Sequence, residues 1–405
     1  MRRIPLLPVL LVIICIPLLA VSPALAAKTI KIGIVDCYSG PPSTYTNDVR
    51  DAFQMEVDKI NAAGGILGHQ IEVMTRDSKF KVDIGLAAAK ELLYRENVDI
   101  LMGTINSALA LAISDMCLRE KVPFFVTFAK SAKITGAKGH RYVFSITENT
   151  ALAGKAAAVG LAKRPYLKYW IAGDDYEYGH AIADGVWNNL KKMKPGVELL
   201  GQSWWKVGEP DFTPYITAML SAKPDAVIVA TGGRDCVPFL KAAKATGFNE
   251  RAPFFMHTAT ELSTLKPLGL EAPEGVIGTS NYFFYYPESR ANKAFVAKFQ
   301  KAYNRLPAVG AVYGLLAAKF IFGGYRNAGT VDTEKFIDAV EGMMVESPVG
   351  QVTMRAFDHQ AQLPMYMGVT KKVPQYDFLV ASDIVTIPGE AVMPSIEEIK
   401  QARKK

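Results

Sequence analysis

The chain has 405 residues, half of them apolar and 21% charged, with a formal charge of +7. That length exceeds one ordinary core and predicts two domains, and the apolar content excludes a disordered chain. The basic residues are scattered, apart from Arg403-Lys404-Lys405, so a solvated surface is expected and not a nucleic-acid footprint.

Arg2 and Arg3 precede an apolar run from Ile4 to Val21, followed by Pro23 and Ala24-Leu25-Ala26. A positive start, an apolar stretch and an A-x-A site predict a secretory signal peptide, residues 1–26, cleaved after Ala26. Pro5, Pro8 and Pro17 argue against a membrane anchor, which needs about 20 apolar residues. Cleavage removes two arginines and lowers the formal charge to +5. Cys15 lies inside the apolar run and does not resemble a lipid-attachment site. Cys37, Cys117 and Cys236 remain. Export favours disulfides, but three thiols cannot all pair internally, and a Cys37–Cys117 bridge needs Cα atoms within about 7 Å. No cysteine spacing resembles a metal or redox motif.

The mature chain opens with a strand at Thr29–Val35. A helix over Thr46–Ala62 follows, with Val49, Phe53, Val57 and Ile60 on one face. Gly64-Gly65 ends it, because glycine takes the left-handed cap without steric cost. The alternation continues with a strand at Gln70–Thr75, a helix at Asp83–Glu96, a strand at Val98–Gly103, a helix at Ala108–Glu120 and a strand at Pro123–Thr127. A second series starts after Asn149. Its strands are Lys168–Ala172, Val197–Trp205, Asp225–Ala230 and Pro253–Met256, with helices at Ala181–Met193, Phe212–Ser221 and Val237–Thr246 between them. Two successive βα series predict an α/β fold of two doubly wound lobes with parallel sheets. An aromatic extended stretch, Gly275–Tyr286, is followed by helices at Ser289–Asn304, Ala308–Asn327 and Thr333–Gly342. Two strand-like pieces come last, at Gln351–Arg355 and Leu363–Val369. No Pro/Ser-rich linker separates the lobes, which predicts short extended connections.

Enzyme motifs are missing. No G-x-G-x-x-G follows a strand, and there is neither a P-loop nor a G-x-S-x-G elbow. The five histidines are isolated in the sequence, and Asp174-Asp175 read as helix caps before they read as paired catalytic carboxylates. No enzyme activity and no cofactor are therefore expected. In open α/β sheets a ligand sits beyond the C-terminal strand ends. The loops there are Tyr38–Gly40, Thr104–Ser107, Phe128–Ser131, Asp174–Tyr178 and Thr231–Asp235. Their hydroxyls, backbone N–H groups and helix N-termini suit an anionic group, although the same Ser and Thr residues could serve only as caps.

Several segments carry a resemblance in order and spacing: IKIGIVDCYSGP, INAAGGILGHQIEV, VDILMGTINSALALA, VPFFVTFAKS, DDYEYGHAIADGVWNNLK, DFTPYITAMLSAKPDAVIVA and FLKAAKATGF. From Lys31 to about Lys371 the chain resembles the periplasmic leucine/isoleucine/valine-binding proteins. These are the amino-acid-binding group of type I solute-binding proteins of ABC importers. The resemblance implies two Rossmann-like lobes joined by three short hinge crossings, near Phe144–Glu148, Gly278–Phe284 and Glu346–Gly350. Lobe one would take residues 27–146 and 283–346, lobe two 147–282 and 347–385, and a C-terminal tail 386–405. It also implies a periplasmic monomer that captures a small-molecule ligand, an amino acid or organic acid, and docks on an inner-membrane ABC permease.

The resemblance places Ser107 and Ser131 on the ligand's α-carboxylate, with Ala129 offering backbone. Tyr45 matches a tyrosine of the first loop, and Tyr178 one that closes over the ligand from lobe two. Asn106 stands where some members have a cysteine; its partner is also missing around Phe80, so that family disulfide is absent. Members that bind amino acids hold the ammonium with an acid after the strand Pro253–Met256. Here the loop reads His257-Thr258-Ala259-Thr260, and Glu261 is the nearest acid. Arg234 aligns near a second lobe-two contact, where it would either grip a carboxylate or pair with Asp235 or Asp175 on the rim. The resemblance implies a branched-chain or other hydrophobic amino acid, or a related small carboxylate, as ligand; the lost acid and gained arginine point away from a zwitterion and make an aromatic or dicarboxylic acid the alternative. A sensory binding protein feeding a receptor would show the same features, and an enzyme on the same scaffold is a weaker rival.

Overall fold

The computed structural model describes residues 28–404. The expected signal peptide and its cleavage site after Ala26 lie outside the described residues. Five strands form a parallel sheet in lobe one: β1 Lys28–Asp36, β2 His69–Asp77, β3 Ile100–Gly103, β4 Phe124–Val126 and β5 Val143–Ser145, in the order β2-β1-β3-β4-β5. The next five strands are β6 Lys168–Asp174, β7 Glu198–Trp205, β8 Ala226–Ala230, β9 Phe254–Met256 and β10 Ile277–Ser280. They pair in parallel in the corresponding order, β7-β6-β8-β9-β10. Lobe two is thus a topological repeat of lobe one. After a small antiparallel sheet of β11 Met344–Ser347, β12 Gly350–Met354 and β13 Ala361–Gln362, two antiparallel strands, β14 Met365–Lys371 and β15 Val380–Ile387, extend the second sheet.

Both sheets follow from local chemistry. The run Ile30, Ile32, Ile34 and Val35 is buried, because β1 is covered on both faces and alternation gives way to a continuous apolar stretch. Helix Ser43–Ala62 begins three residues earlier than expected, directly after Pro41-Pro42, whose fixed φ suits a first turn. Gly65 sits at φ +87°, and a Cβ there would lie 2.0 Å from the His69 carbonyl oxygen, so glycine is required at this return. The helix Val309–Ala328 packs back on Ser43–Ala62 and completes lobe one's core with Val312, Leu316 and Phe320.

The sequence pattern did not mark the helix Thr150–Ala162. Its residues are mostly Ala, Gly and Leu, and nine are buried around most of its circumference, so it has no periodic polar face. It lies so close to the helix Glu177–Met193 that a Cβ on Gly154 would meet the Gly185 backbone at 2.3 Å.

The three passages between lobes lie side by side. Residues 146–149 follow β5, residues 281–289 follow β10, and Leu363-Pro364 separate β13 from β14. The third passage was expected at Glu346–Gly350. That stretch instead forms the β11–β12 hairpin, whose Val345, Val349 and Val352 join lobe one's core. Gln360 ties the passages together: its amide donates to the Thr147 carbonyl at 2.7 Å and accepts from Asn149 and Thr135 at 3.0 Å each. Asn281 Nδ2 donates to the Pro364 carbonyl at 2.6 Å. The segment 386–405 is no loose tail. Its helix Ile396–Lys404 is fastened by Arg403, which donates to the carbonyls of Thr135 and Gly136 at 3.1 Å. Among the described residues no helix is long and apolar enough to cross a membrane, and Cys37, Cys117 and Cys236 are free and buried.

Candidate functional site

The C-terminal strand ends of the two sheets face one another across a narrow cavity of about 20 Å³. Lobe one lines it with Tyr45, Ile105, Phe128 and Lys130, and lobe two with Tyr176, Tyr178, Gly232, Gly233 and Thr258. Four of these side chains are aromatic, and Tyr45 and Phe128 pack edge to face at 5.5 Å. Phe80 and Tyr176 meet across the lobes with ring centroids 6.3 Å apart.

At the cavity floor is a buried charge cluster. Lys130 follows β4, and its ammonium lies over the rings of Phe128 and Tyr313, at 5.0 and 5.9 Å. Lys130 Nζ contacts Glu148, in the first passage, and stands 3.5 Å from Glu261 Oε1. Glu148 also accepts from His257 Nε2 at 2.9 Å, from Thr147 Oγ1 at 3.0 Å and from the Tyr313 hydroxyl. The Glu148 carboxylate can only accept, which assigns the Nε2–H tautomer to His257 and leaves Nδ1 to accept from Thr279 Oγ1 at 2.6 Å. Burial opposes charge on Glu148, but Lys130 and His257 outweigh it and hold this carboxyl well below the usual range. Burial works against the Lys130 ammonium too, yet Glu148 and Glu261 keep its pKa above the ordinary value. Burial, aided by Lys130, lowers His257, leaving it neutral. Glu261 differs: burial pushes it up to about 7, Lys130 opposes that, and Glu148 adds to it.

The eight residues expected to bind a ligand have separate fates. Tyr45 lines the cavity, and its hydroxyl bonds Thr264 Oγ1 of lobe two at 2.8 Å. Tyr178 lines it as well, with a buried hydroxyl that has no partner among the described residues. Ser107, first residue of the helix Ser107–Glu120, is buried with its Oγ equally unpartnered. Glu261 is fully buried, with no hydrogen bond to either carboxylate oxygen. Asn106 is the N-cap of that same helix, accepting from Leu109 N at 3.0 Å. Its Nδ2 reaches the Phe80 carbonyl at 3.4 Å, so a hydrogen bond stands where the disulfide was expected to be absent.

The other three are engaged away from the cavity. The Ala129 N–H is engaged by the Thr104 carbonyl at 2.8 Å and is not an open donor. Ser131 Oγ donates across the lobes to Glu177 Oε1 at 2.5 Å, beside a Lys133–Glu177 pair at 2.8 Å, so it latches the lobes together instead of facing the cavity. Arg234 is exposed, with its guanidinium against Gly208. The rim pairs expected for it are also absent, because Asp175 bonds His180 and Asp235 accepts from the Gly208 N–H. Sequence reasoning missed Lys130, Glu148 and His257. Lys130 carried the one usable signal: a lysine in the short loop after a fully buried strand, where a ligand of an open α/β sheet sits.

Residues 29–373 match the sequence profile of the periplasmic binding proteins. The chain belongs to that family. This periplasmic binding protein is 26% identical over 403 residues to a Leu/Ile/Val-binding protein homolog of Brucella abortus, with 94% of each chain covered. It also resembles an ABC-type branched-chain amino acid transporter structure from Rhodopseudomonas palustris (TM-score 0.71, 26% identity, 91% of this chain and 99% of that one). A solute-binding protein from Rhodopseudomonas palustris HaA2, solved in complex with p-hydroxybenzoic acid, shares the fold (TM-score 0.81, 22% identity, 89% and 98% covered). The chain is therefore a periplasmic binding protein of an ABC transport system.

Proposed function

We propose that this protein captures a small aromatic monocarboxylate lacking an α-ammonium group and delivers it to an inner-membrane ABC permease. The observation that carries the reading is Lys130, whose buried ammonium lines the cavity and already lies beside Glu261. An acid that would hold a ligand's ammonium thus has a resident cation, and that cation offers a charge-assisted partner to a carboxylate. The four aromatic cavity walls suit a flat ring, and the unpartnered hydroxyl of Tyr178, which lines the cavity, supplies a further donor. The p-hydroxybenzoic acid bound by the Rhodopseudomonas palustris neighbour supports the same class.

Capture works by population shift: the ligand bridges both lobes and stabilises their closed arrangement. A cavity of about 20 Å³ supports this, since a ligand can enter only with the lobes apart. The protein acts as a periplasmic monomer after cleavage behind Ala26, without catalysis. A receptor-coupled sensing role would use the same cleft; loss of uptake on deleting the gene would favour transport.

A second reading keeps a branched-chain amino acid as ligand. The two unpartnered oxygens of Glu261 favour it, because they could accept from an ammonium if Lys130 turned wholly to Glu148. Thermal unfolding of residues 27–405 with benzoate, 4-hydroxybenzoate, leucine and phenylalanine separates the two. A ligand at about 1,000 times its Kd stabilises by roughly 4 kcal/mol, a shift of several degrees. Stabilisation by the benzoates alone is expected; stabilisation by leucine alone would overturn the carboxylate reading.

A further inference from the structure

A carboxylate ligand, as proposed above, would add negative charge to a buried cluster that is already short of cations. Lys130 is the one cation among the described residues that pairs with Glu148 or Glu261. Glu148 takes the closer contact with it and three further donors. Glu261 has no partner at normal hydrogen-bond distance: it stands 3.5 Å from the same ammonium, and the Ser280 hydroxyl packed toward it lends its ionised form only weak support. Every other ionisable group packed toward Glu261 is neutral or acidic. Tyr45 comes from Ser43–Ala62, Tyr178 from Glu177–Met193, Cys236 from Cys236–Ala245 and Tyr313 from Val309–Ala328. Glu148 follows β5, and the neutral His257 follows β9.

A carboxylate arriving at Lys130 competes with Glu261 for its remaining counter-charge. An ionised carboxylate left buried with neither counter-charge nor hydrogen bond is less stable than its protonated form. We propose that Glu261 is the proton acceptor of the site, so that a carboxylate ligand is bound at Lys130 together with one proton, taken from solvent and held on the Glu261 carboxyl. Glu261 and Lys130 thereby fix the charge of the acceptable ligand: a monoanion plus a proton brings no net charge into the cleft, whereas a dianion leaves an unpaired negative charge.

The direction of the pH dependence follows. Bound protein holds more protons than free protein, so affinity rises as pH falls. It levels off below about 7, where Glu261 is already protonated in the free protein. The test is calorimetric titration with benzoate at about pH 6 and about pH 8.5, in phosphate and in Tris, whose different ionisation heats report proton uptake. The wild type is expected to take up close to one proton at the higher pH and to lose roughly 30-fold in affinity there. Glu261→Gln should take up none and bind equally at both pH values. Wild-type binding without proton uptake, or uptake that survives in E261Q, would overturn the proposal.

A ligand-free measurement keeps the two ideas separable. In acid the neutral Glu261 carboxyl and the amide that replaces it in E261Q are equivalent, and only the glutamate ionises. The wild type should therefore lose thermal stability relative to E261Q as pH rises from about 5 to about 8. If benzoate binds at no pH, the carboxylate reading falls. A constant stability gap across that range would refute the protonation of Glu261 whatever benzoate does.

Discussion

In each lobe the first strand of the parallel series ends in a buried aspartate that fastens the loop after the neighbouring inner strand. Asp36, at the end of β1, accepts from Ile105 N at 2.8 Å and Thr104 Oγ1 at 3.5 Å. Asp174, at the end of β6, accepts from Thr231 Oγ1 at 2.7 Å and Gly232 N at 3.2 Å. Burial pushes both carboxyls up, Asp36 to about 7 and Asp174, with Asp235 beside it, to about 8. The scaffold and its bracing are repeated, but the loops carried on it are not. Lobe one brings the cavity's one lining cation among the described residues, Lys130, whereas lobe two brings Tyr176, Tyr178 and the bare backbone of Gly232 and Gly233. The repeated part aligns two halves of a cleft, and the unrepeated loops assign charge to one half and shape to the other.

That division is broken most severely at Lys130. Lys130→Met should weaken benzoate binding by at least about 100-fold, the scale of removing one partner of a buried charge pair. It also leaves Glu148 without its cation, so the paired variant Lys130→Met/Glu148→Gln, checked by circular dichroism, separates lost binding from lost folding. A double variant that still binds benzoate would place the charge elsewhere.

Away from Lys130 the effects should be smaller. Tyr178→Phe removes a hydroxyl that has no partner in the ligand-free cleft. Affinity should fall about tenfold while unfolding temperature stays level or rises, since a buried unpartnered polar group has been deleted. Ser131→Ala breaks the bond to Glu177 without touching the cavity and should cost about three- to fivefold in affinity by favouring separated lobes. Small-angle scattering of the ligand-free variant would then report a larger radius of gyration. Arg234→Ala should change affinity by less than about twofold, because surface charges remote from the ligand are screened. A large loss in that last variant would mean that the arginine turns inward on binding.

The fold was legible because strand and helix periods are written in side-chain size: β1 in its β-branched run, and Ser43–Ala62 in Val49, Phe53, Val57 and Ile60. Thr150–Ala162 was not, since a helix buried around most of its circumference has no period to read. Within the site, Tyr45 and Tyr178 were expected from the family resemblance, and both line the cavity. Arg234 misled for a backbone reason: Gly232 and Gly233 present main chain to the cavity, and Gly233, at φ +59°, turns the chain so that the next side chain lies over Gly208. The Lys130 cluster was illegible because its members come from three separate stretches of chain, Lys130 after β4, Glu148 after β5, and His257 with Glu261 after β9, which meet only when the passages between lobes are laced together. Nothing in the spacing of those four residues announces their contact.

Whether lobe one supplies the positive charge that receives a carboxylate is tested most directly by a crystal structure of residues 27–405 grown with benzoate. The benzoate carboxylate is expected within about 3.2 Å of Lys130 Nζ, with the ring between the aromatic walls of both lobes. A carboxylate held instead by Arg234, or a cleft that accepts leucine with its ammonium on Glu261 and excludes benzoate, would contradict it.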